Sequence, residues 1–299
     1  MTDQLHRILP TVQKPARYVG GEYGQIIKDK AKVDLRVAFC FPDTYEIGMS
    51  NIGMRILYGI MNNMDGVWCE RVFAPWGDME AAMRQHQIPL YALESRDPVK
   101  DFDLIAFSIG YEMSYTNILN MLNLAGVPLL SRDRPGLQGL VFAGGVCAVN
   151  PEPLADFIDF FSLGEGEEMT PEILNLYRKA KGEGWDKPRF LHEVVKIPGV
   201  YVPSLYRHHY GADGRLQSIE PLDGAPERVV KRIVRDLDKA YYPAQTIVPN
   251  TEIVHDRTNL EVFRGCIRGC RFCQAGFCYR PVRERSAETL YHQAVEALE

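Results

Sequence analysis

Four of the seven cysteines fall between residues 266 and 278, and three of them stand at a spacing suited to an iron-sulfur centre. The segment reads Arg264-Gly265-Cys266-Ile267-Arg268-Gly269-Cys270-Arg271-Phe272-Cys273. Thiolates separated by three and then two residues can converge on one small cluster, because Gly265 and Gly269 let the backbone fold around the sulfurs. Random placement of seven cysteines would produce this spacing roughly 0.004 times in the chain, so coincidence is a poor explanation. Three protein thiolates on a four-iron cluster leave one iron open, and an open position distinguishes a catalytic metal site from a closed structural one. The competing reading is a four-thiolate zinc site completed by Cys278. The chain lacks the paired C-x-x-C knuckles from which such sites are usually built, and this disfavours it.

Six arginines surround the cysteines, Arg264, Arg268, Arg271, Arg280, Arg283 and Arg285, opposed in the loop by Glu284 alone. Such a run reads first as a solvated rim that keeps thiols ionised. The sharper alternative is an anion site for a carboxylate or phosphate.

The elements that must position this loop follow from the apolar pattern. Apolar residues make up 46% of the 299 and charged residues 24%, an ordinary globular balance, and the net charge of −5 gives no overall footprint for nucleic acid or anionic membrane. Residues 1–32 read as a lead-in with a short helix near Gly24 to Lys30. Strand-like runs at Leu35–Phe41, Val67–Phe73, Leu104–Ile109, Leu140–Ala143 and Phe157–Leu163 alternate with helical candidates. One of these is marked by Ile52, Ile56, Ile60 and Met64, and others fall at Asp78–Gln85, Asn117–Ala125 and Pro171–Ala180. This alternation predicts a doubly wound parallel α/β domain over 33–182. A connecting region of mixed structure follows over 183–258, with a helix at Arg189–Val195 and a hairpin across Gly211 to Gly214. Residues 259–299 supply a strand at Leu260–Phe263, the cysteine loop, and a helix capped by Ser286 with Leu290, Ala294 and Leu298 on one face.

In open α/β sheets ligands bind beyond the carboxyl ends of the strands. Those positions hold Asp43, Tyr45 and Gly48 after the first strand, Ser108 and Gly110 after the third, Gly144 and Gly145 after the fourth, and Gly164, Glu165, Gly166, Glu167 and Glu168 after the fifth. Taken singly, the glycines are what any strand-to-helix turn needs.

The cysteine spacing, the aromatic Phe272 before the last cysteine and the strand before the loop resemble the radical S-adenosylmethionine (SAM) superfamily. The resemblance implies a 4Fe-4S cluster on Cys266, Cys270 and Cys273, SAM on the open iron beside Phe272, and cleavage of SAM to a 5′-deoxyadenosyl radical that abstracts hydrogen. It also implies an electron donor such as flavodoxin or ferredoxin. The preceding domain resembles the cobalamin-binding domain of one branch of that superfamily, and Asn150–Asp156, Gly164–Glu167 and Ile197–Pro203 resemble an uncharacterised set within it. On that likeness Asp43, Tyr45, Gly48, Ser108, Gly144 and Gly145 would face cobalamin. Tyr45 occupies the position where the pattern places an axial histidine, so either cobalamin binds without that ligand or the domain has kept the fold and lost the cofactor.

If cobalamin binds, methyl transfer is the expected reaction. If it does not, the radical could start other chemistry on an unactivated C–H bond, and the residues do not identify the substrate. A second cluster on Cys40, Cys69 and Cys147 is the lesser alternative, because Cys40 and Cys69 sit in apolar runs where cysteine is usually a small buried hydrophobe. The histidines offer no ligand-spaced pair except His208-His209, expected to sit exposed in the hairpin. The chain is expected to stop early in the radical SAM barrel and to be inactive alone, so a non-catalytic fragment or a zinc-stabilised binding module remain the alternatives. Met1 to Tyr18 lacks an apolar signal core and no unbroken apolar stretch is long enough to span a membrane, which points to the cytoplasm.

Overall fold

The computed structural model describes residues 2–243 and 246–298. Met1 in the expected lead-in, Ala244 and Gln245 in the expected connecting region, and Glu299 at the end lie outside the described residues. The strands of the main sheet are β1 (Leu35–Phe41), β2 (Val67–Phe73), β3 (Leu104–Ser108), β4 (Leu140–Gly144), β5 (Phe160–Ser162) and β6 (Val200–Tyr201). They lie in the order β2-β1-β3-β4-β5-β6, parallel except for β6, which runs antiparallel to β5. β1 is buried along its whole length except at the half-buried Arg36, as the largely apolar run Leu35–Phe41 requires of a strand covered on both faces. The order reverses between β1 and β3, and that reversal opens a crevice at their carboxyl ends.

The helices are α1 (Thr2–Ile8), α2 (Tyr45–Met49), α3 (Ile52–Asn62), α4 (Gly77–Gln85), α5 (Tyr115–Ala125), α6 (Gly166–Gly182) and α7 (Lys187–Val194). α3 packs on α6, and α4 is tied to α5 through Arg84, which reaches Asn120 and Asn123. The Asn51 side chain caps α3 by accepting from the Met54 N–H. Ile56 and Ile60 on α3 are buried as their spacing predicts, whereas Ile52 is only half-buried because it faces the crevice.

The lead-in is more than a tail. Leu5 of α1 is fully buried and α1 packs on α4, while the stretch from Gly24 holds no α-helix, only a 3-10 turn at Lys30–Lys32. The sheet also continues past residue 182: Phe190 of α7 packs edge-on to Phe160 and Tyr177, and β6 closes the edge. Beyond it, β7 (Tyr206–Tyr210) and β8 (Leu216–Pro221) form the expected hairpin.

The cysteine segment contains β9 (Phe263–Arg264), α8 (Ala275–Cys278), β10 (Arg283–Glu284) and α9 (Ala287–Glu296). Of the expected strand Leu260–Phe263 only Phe263 is in a strand, and β9 pairs with β10 in a short antiparallel ribbon rather than with a parallel barrel neighbour. Ser286 caps α9 as expected, its hydroxyl accepting from the Thr289 N–H at 3.1 Å.

Candidate functional site

The ribbon β9/β10 forms the neck of the cysteine loop. Gly265 has φ +94, and a Cβ there would lie 2.8 Å from the carbonyl oxygens of both Tyr279 and Pro281, so only glycine lets the two limbs close. Gly269, φ +62, turns the chain again between the first two cysteines. Cys266 and Cys273 are half-buried, Cys270 is exposed, and all three thiols are free. The Arg268 N–H lies 3.5 Å from Cys266 Sγ, the kind of backbone contact that tunes a metal thiolate. The donors therefore fit a cluster in type, exposure and loop chemistry. They are not gathered: among the described residues no three Cys, His, Asp or Glu side chains stand close enough to share a metal ion. Phe272 is 93% exposed, and Cys278 is half-buried at the end of α8.

The arginines divide into two groups. Arg268, Arg271 and Arg280 are exposed, as a solvated rim would be, with Arg280 over the Phe277 ring. Arg264 and Arg283 instead dock the loop on the α/β domain, while Arg285 ties it to Glu261 and to the Leu237 carbonyl of the connecting region. Arg283 grips Glu165 with two bonds of 2.5 and 2.6 Å. Arg264 meets Glu167 at 2.5 Å and Glu261 at 2.8 Å, and Arg285 reaches Glu261 at 3.1 Å. All six side chains are at most 14% exposed. Burial by itself would raise the Glu165 carboxyl, but the Arg283 bonds, the Val234 N–H and the charge of Arg264 outweigh it and hold the group below the usual carboxylate range. Glu165 and Glu167 sit at the start of α6, so the residues after β5 contribute protein-protein docking at this edge of the sheet.

Beneath the docked loop is a cavity of about 540 Å³. Its floor is the carboxyl edge of the sheet, including Ser108, Gly110, Gly144, Gly145 and Ser162, with Ile52, Ile56 and Leu57 of α3 as one wall. Glu261, Phe263, Arg264, Gly265, Cys278 and Tyr279 form the roof, and Lys231 stands at its side. Gly145 has φ +101 and packs so tightly that a Cβ would come within 2.6 Å of the Ile109 oxygen.

Of the residues expected to face cobalamin, Ser108, Gly144 and Gly145 line this cavity and Asp43, Tyr45 and Gly48 do not. Asp43 accepts from the Tyr111 hydroxyl at 2.6 Å. A Cβ on Gly48 would fall 2.2 Å from the Phe73 ring, so that glycine serves core packing. Tyr45 is buried edge-on against Phe73, and its hydroxyl donates to Glu22 at 2.9 Å beside the buried Arg71. Burial pushes this phenol up, which keeps it neutral. None of these residues offers a corrinoid an axial ligand, because Tyr45 is turned into the core, and the space above Ser108, Gly144 and Gly145 is roofed by the cysteine loop.

Cys40 and Cys69 are fully buried in β1 and β2 and burial raises both thiols, while Cys147, on the turn after β4, is pushed up to about 11 by burial and by Glu112. These three thiols are packing groups. His209 pairs with Glu220 at 2.8 Å on the hairpin, but His208 is more enclosed than expected and lies 3.4 Å from Glu152. Lys231 and Glu261 carried no sequence signal, since their importance arises only from the docking of distant segments.

The comparisons with known proteins accord with this arrangement. Residues 53–203, half of the chain and the α/β domain from α3 to β6, without β1, match the family described as radical SAM proteins, N-terminal. The chain is also 24% identical over 271 residues to the uncharacterized protein MJ0966 of Methanocaldococcus jannaschii, covering 89% of this chain and 47% of that protein. It thus spans about half the length of that relative. A sheet domain that matches over half the chain, with a three-cysteine loop docked on its carboxyl edge, places this protein in the family of radical SAM proteins, N-terminal.

Proposed function

We propose that residues 263–284 form the ligand loop of a radical SAM centre in which Cys266, Cys270 and Cys273 hold a 4Fe-4S cluster, and that the α/β domain is the platform for this loop. The observation that carries the reading is the contrast among the cysteines. All seven thiols are free, but the three at cluster spacing are half-buried or exposed and set on a glycine-hinged loop, while Cys40, Cys69 and Cys147 are buried. When bound, such a cluster supplies one electron to SAM, which splits to methionine and a 5′-deoxyadenosyl radical. The chain's own residues do the holding. Arg264, adjoining Gly265 and Cys266, is fixed by Glu167 and Glu261, and this fixes where the first thiol sits. Phe272 offers an exposed aromatic face for the adenine end of SAM, and the exposed Arg268 and Arg271 offer a basic surface to an electron donor of the flavodoxin or ferredoxin type. The hydrogen donor would be an unactivated C–H bond of a substrate, and no step of the reading uses cobalamin.

The reading is tested by anaerobic reconstitution followed by iron and sulfide analysis of single Cys→Ser variants. Cys266→Ser, Cys270→Ser and Cys273→Ser must each lose iron and sulfide, and Cys278→Ser must keep both. Zinc without sulfide, lost also in Cys278→Ser, would replace the cluster by a closed four-thiolate site.

A further inference from the structure

The cavity beneath the loop is built for a ligand, and its chemistry narrows the kind. Phe107, Phe142, Ile109, Ile52, Ile56 and Leu57 give it apolar walls, and its volume of about 540 Å³ is in the range that takes small organic molecules. Its carboxylates are neutralised in place, Glu165 by Arg283, and Glu167 and Glu261 by Arg264. Lys231 differs. Its Nζ donates to the carbonyl oxygens of Cys278 at 2.6 Å and Arg280 at 2.5 Å, and it makes no ion pair among the described residues. An ammonium carries three protons, so one donor remains at the cavity wall, and the nearby Glu165 that acts on its charge is itself engaged by Arg283.

We infer that this cavity binds a small molecule with a compact apolar body and a single carboxylate head, the head on Lys231 and the body between α3 and the carboxyl ends of β3 and β4. Because Lys231 also holds the carbonyls of Cys278 and Arg280, such a ligand bridges the sheet to the cysteine loop. The inference does not depend on the cluster, since every group in it belongs to the protein.

The test uses three probes with one body: 2-naphthoate, 2-naphthamide and 2-naphthylmethylammonium. Each is titrated calorimetrically into the full chain, with and without reconstituted iron. The naphthoate is expected to bind at least tenfold more tightly than the ammonium probe. Lys231→Met should abolish its advantage over the amide, and Leu57→Trp, which fills the wall, should weaken both. In the unaltered chain, saturating naphthoate should protect Lys231 from trace acetylation read by mass spectrometry, which keeps the test decisive if Lys231→Met does not fold. Absence of binding by all three probes, equal binding of acid and ammonium, or acetylation of Lys231 unchanged by naphthoate would overturn the inference. Retained binding in a chain that takes up no iron would leave this site standing while removing the cluster.

Discussion

Replacing Glu165 with glutamine keeps the side chain's shape and removes the charge that anchors the cysteine loop. Glu165 accepts two short bonds from Arg283 and one of 2.5 Å from the Val234 N–H, and it lies 3.6 Å from Arg264. A hydrogen bond to a charged group contributes about 1.5–3 kcal/mol. The glutamine carbonyl keeps one acceptor, and the 13% exposure of the carboxylate lets solvent soften the loss. The expected cost to docking is about 2–3 kcal/mol, which is roughly 30- to 140-fold in the opening equilibrium. Hydrogen exchange resolved by segment reads it: the amides of β9 and β10 should exchange faster by that factor, while those of β1 and β3 stay unchanged.

The same carboxylate sets a pH dependence. Its folded-state value is depressed, so its contribution is fully present above the unfolded value of about 4.3 and is lost as pH falls through the lower folded value. Protection of the ribbon in the unaltered chain should therefore drop on acidification below about pH 4, and Glu165→Gln should lack that component. Unchanged exchange in β9 and β10, or an equal loss across the whole sheet, would refute the docking role.

Other consequences are more local. Arg71→Met would leave Glu22 and Glu94 buried without their cation and should destabilise the chain by about 3–5 kcal/mol in urea denaturation. Gly145→Ala must place a Cβ against the Ile109 oxygen at positive φ, and a loss of about 2 kcal/mol or more, seen as a melting midpoint lower by several degrees, is expected. Hydroxocobalamin mixed with the chain should separate from it on gel filtration, with no protein-bound corrin absorption, whereas co-elution at one equivalent would mean that a corrinoid binds without an axial ligand at Tyr45.

Sequence and structure agree where local pattern decides the outcome. β1 is apolar but for Arg36 and β2 but for Glu70 and Arg71, turn residues follow both, and they form as read, Leu35–Phe41 and Val67–Phe73. Ser286 announces α9 because a cap is a local interaction. α1 is the harder case: Leu5, Ile8, Leu9 and Val12 recur at helical spacing and are all buried, but Pro10 cuts the run short, so its place in the core becomes evident only against α4. The arginine run was legible as charge but not as docking: Arg283 and Glu165 are 118 residues apart, and only the fold makes them partners. Tyr45 shows the same limit in reverse. Its position in a cobalamin-like segment suggests a ligand face, yet the segment's helix turns it onto Phe73 and Glu22. The three closely spaced cysteines are visible from the sequence alone, whereas the cavity beneath their loop needs the loop, α3 and Lys231 to be assembled first.

The central claim is that Cys266, Cys270 and Cys273 hold a cluster with one iron open to SAM. Electron paramagnetic resonance of the anaerobically reconstituted, dithionite-reduced chain, recorded with and without SAM, tests it most directly. The account predicts a four-iron signal that changes on adding SAM and disappears in Cys273→Ser. A four-iron signal indifferent to SAM, or no cluster signal from a chain holding zinc, would contradict it.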